Sequence, residues 1–111
     1  PVLIAQIENK AGAENIDEIL ASEYLDGIMV GPYDLSASLN KAGEFDDPEF
    51  IKYREQILKA AKDKGTMTGY HQVQANPKEL AKRAEEGYDF VAYGTDTVAL
   101  HNALSSIRDF K

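Results

Sequence analysis

Four times in 111 residues a short apolar run ends at a glycine or a polar residue and gives way to a segment with helical spacing, and no other feature limits the fold more. The runs are Val2-Leu3-Ile4-Ala5-Gln6-Ile7, Ile28-Met29-Val30, Met67-Thr68-Gly69-Tyr70-His71 and Phe90-Val91-Ala92-Tyr93. Such β-α-β-α-β-α-β-α alternation is what a parallel sheet with crossover helices requires. Strands covered on both faces read as continuous apolar stretches. The fold class is therefore α/β with parallel strands. Four units suit either a small doubly wound sheet or half of an eightfold barrel, and alternation by itself leaves both open.

The helical segments carry their own punctuation. Within residues 13–21, Ile16, Ile19 and Leu20 recur at helical spacing, with Glu14, Asp17 and Glu18 opposite, which predicts a crossover helix. Asp47-Pro48-Glu49 reads as an N-cap, a proline in the first turn and an acid at the positive end of the dipole. A long helix follows, with Phe50, Tyr53, Ile57, Ala60 and Ala61 as its apolar stripe and Gly65 as its stop. Asn76-Pro77 repeats the start signal, with Leu80, Ala81 and Ala84 as the stripe and Gly87 as the stop. From about Thr97 a last helix carries Val98, Leu100, Ala103, Leu104 and Ile107 to the end.

Parallel α/β folds keep their ligands at the carboxyl ends of the strands, so the polar exits are where chemistry is sought. Glu8 leaves the first run, and Asp34 follows Gly31-Pro32 just past the second, before a helical start at Leu35. Neighbouring strands lie about 4.8 Å apart, so two such carboxylates can converge on one hard divalent cation with oxygen bonds of about 2.0–2.2 Å. Ser36 and Ser38 have no glycine-flanked elbow or nearby histidine and read as helix-start caps, not nucleophiles. Asp96 reads as a helix cap and His101 as a surface group; His71 at a strand end reads as a structural histidine, with facing the pocket as its alternative, and Tyr33 and Tyr70 as packing groups, with lining the pocket as theirs.

Composition removes whole classes of function. Nineteen acidic residues against 12 basic ones, net charge −7, leave no basic patch for a phosphate backbone, so no nucleic-acid partner is expected. The chain has no cysteine, which excludes disulfides, thiolate metal sites and cysteine nucleophiles. No apolar run reaches the roughly 18 residues of a membrane span, and the first residues lack a signal peptide's basic region and cleavage site, so a cytoplasmic location without a membrane partner is expected. Pro1 directly precedes an apolar strand, so the chain is expected to be a piece of a longer one.

Taken together, Gln6-Ile7-Glu8, Glu14-Asn15-Ile16-Asp17-Glu18-Ile19, Asp26-Gly27-Ile28-Met29-Val30-Gly31-Pro32-Tyr33-Asp34-Leu35-Ser36 and Gly94-Thr95-Asp96 resemble the HpcH/HpaI aldolase family over almost the whole chain. The loop ending in Phe45-Asp46-Asp47-Pro48 fits as well. The resemblance implies a (β/α)8 TIM barrel, of which residues 1–111 would be a single C-terminal half-barrel segment, strands five to eight. It implies a carbon–carbon lyase of the class II aldolase type, with pyruvate or a related 2-oxo acid as donor, an aldehyde as partner and a 2-keto-3-deoxy acid type of substrate. Carried over, Glu8 and Asp34 resemble the carboxylates that hold Mg2+, Mn2+ or Co2+, and Gln6 resembles the glutamine beside the bound oxo acid. Gly31 and Pro32 resemble the loop whose backbone lies against the substrate carboxylate.

The family's base histidine and substrate-binding arginine belong to the other half of the barrel. No catalytic acid–base residue is therefore assigned, and neither His71 nor His101 stands in that place. Two open sheet edges expect neighbours, either a homo-oligomer or the remainder of the barrel, with Leu100 to Ile107 as a candidate contact. Two other readings remain: a citrate-lyase-like enzyme acting on an acyl-CoA, for which no nucleotide-binding surface is visible, and a catalytically silent half barrel with an assembly role.

Overall fold

In the computed structural model, which describes residues 1–110, the strands are β1 (Ile4–Ile7), β2 (Gly27–Val30), β3 (Met67–Gln72) and β4 (Phe90–Tyr93). They form one sheet in the order β1-β2-β3-β4, and every pairing is parallel. A doubly wound sheet reverses its strand order at a switch point. This sheet never reverses, so it is four successive units of the singly wound barrel architecture.

The register divides the sheet into two unlike faces. Ile28, Val30, Thr68 and Tyr70 are buried, and Ile28, Val30 and Tyr70 join Ile16, Phe50, Ile57 and Ala61 of the helices in one core. The row between them, Gln6–Met29–Gly69–Phe90, is open or half-buried except at Gly69, whose surface the Phe90 ring covers. Ile4 and Met67, one step toward the amino ends, are 40% and 38% exposed. Helices therefore cover one face, and the other has no layer upon it.

The first crossover differs from its sequence reading. Instead of one helix over residues 13–21 there are two, α1 (Lys10–Glu14) and α2 (Ile16–Leu20). Asn9 caps the first, accepting from the Gly12 N–H at 2.8 Å. Asn15 ends it by donating its side-chain amide to the Ala11 carbonyl at 2.8 Å. An asparagine that satisfies a backbone carbonyl itself competes with the helical ladder, which is why the chain breaks and restarts there. Ile16 and Leu20 still face the core, as their spacing predicts.

Next come α3 (Pro32–Ser38) and the long α4 (Pro48–Lys64), which packs on α1, α2, β2 and β3. Asp47 caps α4 as expected, accepting from the Glu49 and Phe50 N–H groups at 2.9 and 3.2 Å, and Gly65 ends it with φ of 70°. Lys41 donates to the same Asp47 carboxylate at 2.9 Å. That hydrogen bond holds the Asp47 carboxyl below its ordinary value. Its stabilising contribution is thus complete above the ordinary carboxylate pKa and is lost as pH falls through the lowered value. Urea unfolding at neutral and acidic pH should show a smaller acid loss in Lys41→Met than in the native chain, and equal losses would discount the contact.

The helix α5 (Pro77–Glu86) starts at Asn76 and stops at Gly87 as its punctuation predicts, but its buried face is not the Leu80-Ala81-Ala84 stripe. Leu80 is half-buried, Ala81 and Ala84 are exposed, and Arg83 is the buried residue, 6% exposed. Its guanidinium lies 4.8 Å from the Tyr70 ring centre and bonds Glu79 and Glu86, so stacking and two carboxylates make the charge tolerable inside.

The chain closes with α6 (Asp96–Leu104) and a 3-10 turn, Ser105–Asp109. Leu100, Leu104 and Ile107 keep helical spacing yet are 62%, 58% and 71% exposed. No helix among the described residues is long and apolar enough to cross a membrane.

Candidate active site at the carboxyl ends of the strands

Parallel pairing carries β1 and β2 out of the sheet side by side. Ile7 pairs with Val30, and the Gly31 N–H donates to the Ile7 carbonyl at 3.0 Å, so Glu8 emerges beside Gly31. A Cβ on Gly31 would stand 3.0 Å from the Glu8 Cβ and 2.6 Å from the Gln6 amide nitrogen. Only a residue without a side chain lets Gln6 and Glu8 come this close. The sequence pattern places Asp34 in a loop before a helix beginning at Leu35, but α3 already begins at Pro32, so Asp34 stands exposed in its first turn. Proline at a first helical position is favoured there, and the positive end of the helix suits the carboxylate.

Gly31 and Pro32 themselves present no free donor. The Gly31 N–H is spent on the ladder to Ile7, and proline has none. The unpartnered backbone N–H groups of this turn are those of Tyr33 and Asp34, which have no intrahelical acceptor. The glycine thus contributes space, and the proline fixes the turn.

A cavity of about 360 Å3 opens over this corner, walled by Gln6, Gly31, Pro32, Asp34, His71 and Val98 among others. Glu8 is not one of its walls; it stands half-buried at Gly31. His71, for which the sequence sets a structural role against facing the pocket, lines this cavity. What could have revealed this is the pairing Met29–Gly69, which puts residues 69 and 71 on the same face as Gln6, but register is not visible before strands are aligned. Tyr33 also lines the cavity, while its ring packs edge-on against Phe45 with centroids 4.9 Å apart.

The two serines act otherwise than as helix-start caps. Ser36 and Ser38 lie toward the end of α3 and donate back to the Tyr33 and Leu35 carbonyls at 2.8 and 2.7 Å. Each hydroxyl also accepts from a distant backbone N–H, Gly43 for Ser36 and Lys10 for Ser38. They fasten α3 to the following loop and to α1. Asp96 is the first residue of α6, not its cap; Thr95 holds that position and Asp96 accepts from the Thr97 N–H at 2.7 Å. His101 is exposed, as expected.

Among the described residues no three histidine, aspartate or glutamate side chains gather into a metal-binding group. The Glu8 and Asp34 carboxylates have no hydrogen-bond or ion-pair partner there. Two unpartnered carboxylates and an amide, if they met on one ion, would offer oxygen donors and leave most of a coordination sphere to water and ligand. That set fits a hard cation such as Mg2+ or Mn2+, which keeps several waters, and it does not resemble the nitrogen and sulfur donors of a structural zinc site.

The family model described as HpcH/HpaI aldolase/citrate lyase matches residues 1–103. The chain is 37% identical over 108 residues to 5-keto-4-deoxy-D-glucarate aldolase of Citrobacter koseri, covering 96% of this chain and 41% of that protein. It is 36% identical over 104 residues to 2-keto-3-deoxy-L-rhamnonate aldolase of Salmonella paratyphi B, covering 94% and 38%. Among solved structures, an HpcH/HpaI aldolase from Desulfitobacterium hafniense superposes with a TM-score of 0.86 at 27% identity, over 97% of this chain and 41% of that one. The chain therefore spans about two fifths of the length of the relatives it matches.

Proposed function

Because the chain belongs to the HpcH/HpaI aldolase/citrate lyase family, we propose that it is the metal-holding half of a class II aldolase, a carbon–carbon lyase acting through the enolate of pyruvate or a related 2-oxo acid. Its substrate would be of the 2-keto-3-deoxy acid type, with an aldehyde as the other product. What supports this reading above all is that Glu8 follows β1 and Asp34 stands in the first turn of the helix after β2, the strand paired with β1, while the bare Gly31 lies against Gln6 and Glu8.

Glu8 and Asp34 would hold a divalent cation, Mg2+, Mn2+ or Co2+. When bound, such an ion supplies Lewis acidity toward the carboxylate and 2-oxo oxygens of the donor. Gln6 would orient the oxo acid through its amide. Gly31 and Pro32 would shape the wall against which the substrate carboxylate lies, and the free N–H groups of Tyr33 and Asp34 would face that charge. No residue of this chain is assigned the proton transfer.

The open face and edges call for a partner. The accessible surface is 7171 Å2 for 12.3 kDa, against about 6,100 Å2 expected of a monomeric globule of that mass. The excess of roughly 1,000 Å2 is close to the approximately 800 Å2 each partner contributes to a standard interface. A second copy of the chain or the remainder of a barrel would cover it, with residues 1–111 as the C-terminal segment.

Proton NMR of pyruvate in deuterated buffer tests the reading. Loss of the methyl signal, with the buffer base taking the proton, is expected when chain and Mg2+ or Mn2+ are both present, and not with either alone. A rate rising more steeply than protein concentration would mark an active assembly. No exchange at any concentration would leave the chain a structural half barrel.

A further inference from the structure

The strand pairings set four residues in one row at the carboxyl ends of the sheet. Ile7 pairs with Val30, Val30 with Tyr70, and His71 with Ala92, so one step beyond the first pair the row runs Glu8–Gly31–His71–Ala92. Successive side chains of a strand alternate between faces, and this row therefore shares the uncovered face with Gln6 and Met29. Glu8 and His71 stand on either side of Gly31, two strand spacings or about 10 Å apart. Gly31 itself fills none of the space between them, and the Gln6 amide nitrogen lies over it. Ala92, beyond His71, is short as well, so the imidazole has no bulky neighbour in its row.

His71 is half-buried, makes no hydrogen bond or ion pair with the described residues, and keeps both ring nitrogens accessible. It lines the strand-end cavity together with Gln6, Pro32 and Asp34. An anion in that cavity is short of donors. No lysine or arginine walls it among the described residues, the Gly31 N–H is spent on Ile7, and proline has none. What remains is the backbone N–H groups of Tyr33 and Asp34 and the side chains of Gln6, Tyr33, Gln74 and His71. Of these side chains only His71 stands beside Gly31 in its row on the β3 side. An imidazole carries at least one N–H donor in either protonation state, and a hydrogen bond to a charged acceptor is stronger than one to a neutral group.

We propose that His71 is a substrate-binding residue of this corner, its imidazole N–H donating to the carboxylate of the bound 2-oxo acid. The assignment rests on the proposed class II aldolase function, in which that carboxylate lies against Gly31 and Pro32, and it adds the side chain that meets the charge from the β3 side. With Glu8 on one side of Gly31 and His71 on the other, the two residues fix which end of the acid points toward β1 and which toward β3.

The chain has two histidines, and His101, exposed on α6, serves as the internal control. The full chain carrying isotope-labelled histidine is titrated with pyruvate in the presence of Mg2+, while saturation transfer to the pyruvate methyl protons reports binding independently. Saturable shifts of the His71 ring signals are expected, with His101 unmoved. Pyruvamide, which lacks the carboxylate charge, should shift His71 much less. His71→Leu should weaken pyruvate about tenfold or more, the worth of a hydrogen bond to a charged group, and His71→Gln, which keeps an N–H donor, should recover most of that loss. Mn2+ affinity without pyruvate should be the same in the native chain and both variants. Pyruvate binding that leaves the His71 signals still, or an equal response to pyruvamide, overturns the assignment and leaves the aldolase function standing. Loss of Mn2+ affinity in His71→Leu also overturns it, because the residue would then serve the ion. Absence of pyruvate binding by the native chain overturns both. If His71→Leu fails to fold, the native titration and His71→Gln decide.

Discussion

Replacing Asp34 with asparagine is expected to cost at least about a hundredfold in Mn2+ affinity while leaving the fold unchanged. Substitutions that merely support a metal ligand cost about 10–100-fold, so removing one of two charged ligands should cost no less. Asparagine keeps the size and one oxygen but loses the charge, and a hard cation responds to charge. Asp34 is exposed and has no partner among the described residues, so thermal unfolding should move little. Glu8→Gln should behave alike, and the double variant should be little worse than either single one, because two groups sharing one ion act as a unit. Calorimetric or electron-paramagnetic titration with Mn2+ gives the answer. Undiminished affinity in both single variants would remove the physical basis for assigning the corner to a cation.

The largest effect on stability should come from Ile57→Ala. Ile57 is fully buried on α4, the helix that packs on α1, α2, β2 and β3 at once. Removing that much of a core side chain costs about 2–5 kcal/mol, since the surroundings collapse only in part. Small domains have only about 5–15 kcal/mol in total, so the variant should unfold at markedly lower urea or not fold at all. Leu104→Ala is the matched control. It too sits at helical spacing in an apolar stripe, but 58% exposed, so the change in a monomer should stay within about 0.5 kcal/mol. Equal losses at the two positions would mean that α6 is packed in solution.

Local signals and long-range placement were not equally legible. Asp47-Pro48, Asn76-Pro77, Gly65 and Gly87 were readable because caps and left-handed stops depend on a few adjacent residues. The four strands were readable as apolar runs. The open choice between a doubly wound and a barrel-type sheet was not, because both share the same local alternation and differ only in which strands pair. Arg83 was missed for a related reason: its burial depends on Tyr70, Glu79 and Glu86, two of them on its own helix but the ring on β3. The early start of α3 hid in Gly31-Pro32, read as a loop although proline at a first helical turn is as natural a reading. At the candidate site the identities of Gln6, Glu8, Gly31 and Asp34 came from sequence. The close approach of Gln6 and Glu8 to Gly31 came from register.

The unreversed strand order also bears on how the molecule is made. Every strand finds its hydrogen-bonding neighbour in the segment synthesised just before it, after one crossover, so no early strand must wait for a late one. Pairings between near segments close small loops and favour fast folding. Such a sheet can be laid down in the direction of translation, each unit templating the next.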